Sequence, residues 1–229
     1  MRPSPLRSVL FVLLSGASCA GLAQSAPSAR DVASYTALHA AAHAGDLADI
    51  ERLLDTPGTD LESRDDAGRT ALHVAAFASH DDVVRRLADA GGDLDALEGQ
   101  AYDVVTIAAV ADDLPLLALV LELGASADNV TSPYDGTALI AAAHLGHAEA
   151  VRQLIEADAP LDHVNNLGWT ALIEAVVLGD GGPDHVATVR ALTEAGADRE
   201  LGDRAGVTPL EHARSRGYDA IVALLEQPR

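Results

Sequence analysis

The chain has 229 residues, of which 48% are hydrophobic and only 3% are aromatic. Its 35 acidic residues outnumber 15 basic residues, all of them arginine, and the net charge is −20 at pH 7. This charge disfavours binding to nucleic acid or to anionic lipid, because phosphate groups are repelled. It suits a partner protein with a basic surface, or serves only the solubility of the chain.

The first 23 residues have the form of a secretory signal peptide. Arg2 and Arg7 precede an apolar run at residues 9–14, and small residues follow as far as Ala23. We predict cleavage after Ala23. The all-arginine, alanine-rich composition is typical of bacteria with GC-rich genomes, so the mature chain is expected to be periplasmic or secreted.

Two alternatives to cleavage after Ala23 remain. One is a lipoprotein signal at Cys19, although Gly16 stands where such signals usually carry leucine. The other is an uncleaved anchor, although the apolar run is short for a bilayer, which needs about 20 residues. After cleavage, residues 24–33 form a short lead-in, residues 34–229 form a repeat domain, and no membrane span is expected.

A short motif then recurs six times, at intervals of 34, 33, 34, 33 and 38 residues. Its starting positions are Thr36, Thr70, Asp103, Thr137, Thr170 and Thr208. A unit of this length holds two short helices and a hairpin turn, and neither helix can bury its apolar face alone. The period therefore predicts a solenoid in which six units stack on one another.

The second copy of the motif, residues 70–76, shows why these residue types recur. Thr70 can cap a new helix, Leu72 points into the stack, and Ala75 and Ala76 let neighbouring helices approach closely. A residue expected in the left-handed conformation follows the second helix of the first five units, where glycine is most easily accommodated. These residues are Gly58, Gly91, Gly124, Asp158 and Gly196.

These motifs resemble those of ankyrin repeats over roughly residues 34–226. The resemblance implies an all-α repeat solenoid of about six stacked ankyrin repeats, each a helix-turn-helix with β-hairpin loops. The third unit departs most, and residues 103–106 leave its hairpin and helix start undefined. The fifth unit carries an insertion at residues 179–184, expected to be a flexible loop or, alternatively, to bind a partner or an ion.

The resemblance also implies a non-enzymatic, monomeric module for protein–protein interaction. In such arrays, the hairpin tips and the residues after the alanine pair line the concave side. Aromatic residues, although scarce, concentrate there, and aromatic rings are frequent interface anchors. The predicted partner-binding residues are Tyr35, His43, Arg69, Phe77, Tyr102, Tyr134, His144 and Trp169. The alternative is that the rings serve structure, each packing on its own hairpin and on the next one.

No constellation for catalysis or for cofactor binding is found in the sequence. His39 and His43 are four residues apart, a spacing that could place both rings on a metal. However, His39 and His73 occupy a repeated histidine slot, and His80 and His147 occupy a second one. These four histidines are expected to serve the repeat architecture, so we predict no metal site, no cofactor and no enzymatic activity.

Two functions follow from these expectations. The first is an exported module that docks a periplasmic protein through hairpin tips and the concave helical face. The alternative is a protective accessory of a periplasmic stress enzyme, such as a peroxide-removing one. It rests on the mature chain's lack of sulfur, since Met1 and Cys19 are the only methionine and cysteine.

Overall fold

The structure is a computed structural model, and it describes residues 24–228. The predicted leader, including Cys19 and the expected cleavage after Ala23, lies outside the described residues. Within residues 24–228 the chain forms thirteen α-helices. They are α1 (Ala29–Ala33), α2 (Ala37–Ala44), α3 (Leu47–Leu54), α4 (Ala71–Phe77), α5 (Asp81–Asp89), α6 (Val104–Ala111), α7 (Leu114–Glu122), α8 (Ala138–Leu145), α9 (Ala148–Glu156), α10 (Ala171–Val177), α11 (Pro183–Glu194), α12 (Pro209–Arg216) and α13 (Asp219–Leu225).

Helices α2 to α13 form six helix pairs arranged in two layers. The first helices of the units, α2, α4, α6, α8, α10 and α12, pack on one another in that order. The second helices, α3, α5, α7, α9, α11 and α13, form the other layer in the same way. The all-α solenoid of six two-helix units predicted from the period is confirmed. No helix of the described part is long and apolar enough to cross a membrane.

Small and aliphatic side chains fill the space between the layers. The alanine pair of the second unit is buried, with Ala75 0% and Ala76 3% exposed, as the motif predicts. Leu72 beside them is also buried, as is Leu154 of α9. Close packing of the first helices therefore depends on the absence of large side chains at these alanines.

A Thr-x-x-His motif builds the start of the first helix in the first two units and ties each of them to the next unit. In the second unit, Nδ1 of His73 accepts a hydrogen bond from the backbone N–H of Thr70 at 3.2 Å. Nε2 of His73 therefore carries the proton and donates to the carbonyl oxygen of Ala96 at 2.9 Å. His39 makes the equivalent contact with the carbonyl oxygen of Arg69. The architectural role predicted for these two histidines is confirmed.

The third unit starts its helix with different chemistry and the same geometry. The Asp103 carboxylate accepts from the backbone N–H and from the hydroxyl of Thr106, both at 2.7 Å. Helix α6 begins directly after this cap, at Val104. Burial raises the pKa of Asp103. The helix start that the sequence leaves undefined is thus well formed, because Asp103 and Thr106 replace the Thr and His of the first two units.

The loops between units are turns rather than paired strands. Among the described residues, the only β-bridge is an isolated one between Thr131 and Gly136. The backbone after the second helices follows the sequence prediction, since Gly91 has φ +96° and Gly196 has φ +98°. Asp158 adopts the same left-handed region with φ +61°.

The insertion of the fifth unit is partly helical, which corrects the expectation of a flexible loop. Pro183 and Asp184 form the first positions of α11, which has 12 residues. The preceding residues pack against the sixth unit, where the Tyr218 hydroxyl donates to the carbonyl oxygen of Gly179 at 2.9 Å. Proline suits the first turn of a helix, since its missing N–H would be unpaired there anyway.

Candidate protein-binding surface

A polar side chain in each loop between units holds the hairpin tip in shape. In the loop before the fifth unit, Asn165 Oδ1 accepts from the backbone N–H groups of Leu167 and Trp169, both at 3.0 Å. One residue in each of the five loops has a side chain that accepts hydrogen bonds in this way from the backbone N–H groups two and four residues later. These residues are Asp65, Glu98, Ser132, Asn165 and Asp203. The tips therefore share one conformation and present their side chains at a regular spacing.

Two of the predicted partner-binding residues are buried. Arg69 is 2% exposed, and its guanidinium pairs with Asp31 at 3.0 Å and with Asp65 at 2.8 Å. Hydrogen bonds from the Ser28 backbone and from Arg69 hold the pKa of Asp31 at about 2. Arg69 thus ties α1 to the tip of the second unit. Tyr102 is 3% exposed, and it lines a cavity.

Three other predicted residues are half-buried on the first two units. The ring centroid of Tyr35 lies 5.7 Å from that of His39 and 6.0 Å from that of His43. Burial raises the pKa of the Tyr35 phenol. Phe77 packs against the core from the end of α4. Tyr35 and His43 therefore lie together, whereas Phe77 lies in the next unit.

Tyr102, Tyr134 and His144 are brought together around one cavity between the third, fourth and fifth units. Its volume is about 360 Å³. Its other lining residues are Val110, Ser132, Gly136, Thr137, Ile140, Ala141, Leu145, His147, Asn165 and Glu174. Trp169 does not line the cavity, but its backbone N–H bonds to Asn165, which does. Most of the lining is apolar, which is typical of sites that bury a ligand group.

A buried carboxylate, which the sequence analysis missed, lies in this cavity. Glu174 is 3% exposed. Its Oε1 accepts from the Asn165 side-chain amide at 2.7 Å, and its Oε2 lies 3.3 Å from Nδ1 of His144. Glu174 stands four residues after the motif start, where the first four units carry an apolar residue: Ala40, Val74, Ile107 and Ala141. A charge in an apolar column is the signal that could have found it.

The sequence prediction, which rests on aromatic rings, also leaves out exposed aliphatic side chains in the loops. Leu97, Val130 and Val164 are 38%, 50% and 51% exposed. Leu97 and Val164 directly precede the tip acceptors Glu98 and Asn165, and Val130 stands two residues before Ser132, so three consecutive loops each carry one exposed aliphatic side chain. Leu145, at the rim of the cavity, is 42% exposed. Exposed large apolar side chains that accumulate in one region of a surface are typical of interaction sites.

The histidines of the second helices bond to the backbone of the preceding unit. His80 contacts the carbonyl oxygen of His43, and His147 contacts that of Ala109, both at 3.0 Å. The architectural role predicted for His80 and His147 is confirmed. No group of three or more His, Cys, Asp or Glu residues in the described part of the chain could hold a metal ion.

Comparison with known proteins places these features in a family. A family model described as ankyrin repeats in three copies matches residues 8–97 and 105–198. The ankyrin repeat protein YahD of Escherichia coli (strain K12) is 38% identical over 138 residues, which cover 60% of this chain and 68% of that protein.

Solved structures share the fold. A crystal structure of an ankyrin repeat domain from Acinetobacter baumannii AYE is 42% identical, with a TM-score of 0.77, covering 82% of this chain and 95% of that chain. A chain in the solved structure of the predatory endopeptidase Bd0816 from Bdellovibrio bacteriovorus in complex with the immunity protein Bd3460 is 26% identical, with a TM-score of 0.67. That match covers 86% of this chain and 100% of the other.

Proposed function

The chain belongs to the ankyrin-repeat family, and we propose that it is an exported, non-enzymatic module that binds one partner protein through its hairpin tips and the adjoining face of its first helices. Ankyrin repeats are protein–protein interaction modules. The observations that support this surface are the cavity of about 360 Å³ and the exposed side chains of Leu97, Val130 and Val164 in the loops that border it. A recess beside exposed apolar side chains gives a partner both an anchor point and contact area.

The partner proposed is a protein with a basic surface. The net charge of −20 favours association with such a surface and speeds encounter at low salt. The solved complex of an endopeptidase with an immunity protein supports a protein as the partner, since a chain of that complex shares this fold. An extended array also offers more surface to a folded partner than to a small molecule.

The place of action proposed is the periplasm or the cell exterior, with a leader cleaved near Ala23. The support is the order of arginines, apolar run and small residues in the first 23 residues. Cell fractionation followed by N-terminal sequencing of the recovered protein tests this. A first residue of Gln24 is expected, and a chain that retains its leader inside the cell would contradict export.

A capture experiment tests the binding surface. Val130→Asp with Val164→Asp places two charges on the tips, at side chains that are half-exposed and so do not disturb the core. The matched control, Arg85→Asp with Arg152→Asp, alters two side chains of the other helix layer that are 48% and 49% exposed. The tagged wild type and the control should recover the same protein from periplasmic extract, and the tip variant should lose it.

Equal recovery by the tip variant would overturn the proposed surface. Trp169→Ala separates the binding role of this ring from packing on its own hairpin. Loss of capture with an unchanged melting temperature supports a role in binding. A lower melting temperature with intact capture assigns Trp169 to the hairpin.

A narrower proposal concerns the partner's activity: a periplasmic stress enzyme, such as a peroxide-removing one. Its support is the absence of Met and Cys after residue 23, which removes the side chains most easily oxidised. A deletion strain should then survive peroxide less well than the wild type. Normal survival would contradict this role and leave the binding module untouched.

A further inference from the structure

We propose that the cavity of the third to fifth units is a socket for an arginine side chain of the partner, whose guanidinium pairs with Glu174. We call it the arginine socket and define it by Tyr102, Tyr134, His144, Asn165 and Glu174. The inference rests on the proposed function and adds to it the chemistry of the group that the partner inserts.

The first argument is the unused hydrogen-bond acceptor capacity of Glu174. A carboxylate that is 3% exposed is costly to bury unless donors and a positive charge compensate it. Asn165 supplies one donor at 2.7 Å, and His144 lies at 3.3 Å. A carboxylate can accept about four hydrogen bonds, and no arginine lines the cavity. Glu174 therefore keeps acceptor capacity that a cation from outside could use.

The second argument is that the fold does not require this carboxylate. The same two positions of the sixth unit carry Asp203 at the tip and His212 on the helix, joined at 2.9 Å. There the helix residue donates and the tip residue accepts. The fifth unit reverses this polarity, with Asn165 donating from the tip and Glu174 accepting on the helix. The reversal leaves the negative charge on the helix that lines the cavity.

The third argument is the pair of phenols in the wall. Tyr102 is 3% exposed, and neither its hydroxyl nor that of Tyr134 has a hydrogen-bond partner among residues 24–228. Burial raises the pKa of Tyr102, and the nearby Glu98 and Tyr134 raise it further, so the phenol stays neutral at physiological pH. The two phenols and the carboxylate line the same cavity and so offer several acceptors to one group, and tyrosine rings can also attract a cation.

Arginine fits this set better than other side chains. Its planar guanidinium offers five donors in a fixed fork and stacks on aromatic rings, whereas the lysine ammonium is compact and strongly hydrated. A purely apolar side chain would leave Glu174 and the phenols without donors. An anionic group would meet the carboxylate and the net charge of −20.

The test titrates the full mature chain with three capped pentapeptides, Gly-Gly-X-Gly-Gly, where X is arginine, lysine or citrulline. Amide chemical shifts report the binding site. The arginine peptide should shift the amides around the cavity and bind at least ~10-fold more tightly than its neutral citrulline counterpart. Glu174→Gln should remove this preference, whereas Glu149→Gln, an exposed glutamate of α9, should keep it.

Equal binding of arginine and citrulline peptides, or an arginine preference that survives Glu174→Gln, would overturn the socket. If Glu174→Gln fails to fold, two further variants test the arginine socket. Glu174→Ala installs the residue that the fourth unit carries at this position, and Tyr134→Phe removes only a phenol oxygen. Both should weaken the arginine peptide selectively, and unchanged affinity in both contradicts the proposal.

Failure of the socket can be told apart from failure of the proposed function. If Val130→Asp with Val164→Asp abolishes partner capture while Glu174→Gln captures normally, the binding surface stands and the socket does not. If the arginine peptide binds as expected but the tip variant captures normally, the socket stands and the proposed tip surface is wrong.

Discussion

His73 caps a helix, links two units and makes the stability of the protein depend on pH. Its ring is fully buried, and both of its nitrogens are bonded within the protein. Burial lowers the pKa of His73 to about 4, from 6.5 in a model peptide. The unfolded chain therefore takes up a proton below pH 6.5, whereas the folded chain resists protonation until about pH 4.

We expect the free energy of unfolding to be greatest above pH 6.5 and to fall as the pH drops towards 4. The contribution of His73 to this loss is about 3 kcal/mol, since each pKa unit corresponds to ~1.4 kcal/mol. Urea unfolding at several pH values measures it. His73→Gln, although less stable at pH 7, should lose less stability on acidification than the wild type. Parallel pH profiles for the two proteins would contradict this assignment.

Asp158 occupies a backbone position that glycine fills in four other units. Its φ of +61° lies in the left-handed region, which is strained for residues with a Cβ atom. Asp158→Gly should stabilise the protein by about 0.5–1 kcal/mol, the relief of strain exceeding the added entropy of the unfolded chain. The reverse change, Gly196→Asp, should destabilise by a similar amount. Thermal unfolding of both variants measures whether stability rises or falls. A lower stability of Asp158→Gly than of the wild type would refute the argument.

At the scale of single elements, the sequence predicts helices well and the interiors of loops poorly. The period locates helix starts because it repeats six times, and even Asp103 and Thr106 preserve the cap with other residue types. The tip residues escape detection because Asp, Glu, Ser and Asn all perform the same bonding. Chain position alone could not show that Tyr102 turns inwards while Tyr134 is only half-buried.

The candidate site was predictable only in part for a related reason. The sequence predicts Tyr102 and His144 from columns in the repeat and Tyr134 from its place near a hairpin tip, and the structure places all three around one cavity. Glu174 and Asn165 complete that cavity from the next unit, 30 and 21 residues beyond His144. The proximity of these residues from different units depends on how neighbouring units stack, and a pattern within single units does not encode this stacking.

The insertion before α11 offers a test of how an element is anchored. The Tyr218 hydroxyl of the sixth unit donates to the carbonyl oxygen of Gly179. Tyr218→Phe removes this bond and keeps the ring, so it should lower the free energy of unfolding by about 1 kcal/mol. Hydrogen exchange should also quicken in the loop before α11. Tyr134→Phe is the control, because that hydroxyl has no partner in the described chain; equal effects of both variants would argue against the anchor.

At the scale of the whole molecule, stability is a sum over neighbouring units. Helix α9 packs between α7 and α11, whereas α13 has a neighbour in its layer on one side, α11. A loss of packing in α9 therefore weakens two interfaces and the connection between the two halves of the array. The same loss in α13 weakens only the end.

Leu154→Ala in α9 should thus cost about 2–5 kcal/mol, because its side chain is fully buried and neighbouring units close only partly over the cavity. It should also lower the dependence of the unfolding free energy on urea, since the two halves then unfold separately. Leu225→Ala in α13, where the side chain is 6% exposed, is the matched control and should keep a single transition. Fluorescence of Trp169 and circular dichroism should give different midpoints for the central variant. Coincident midpoints with an unchanged urea dependence would show that the array unfolds as one unit despite its linear construction.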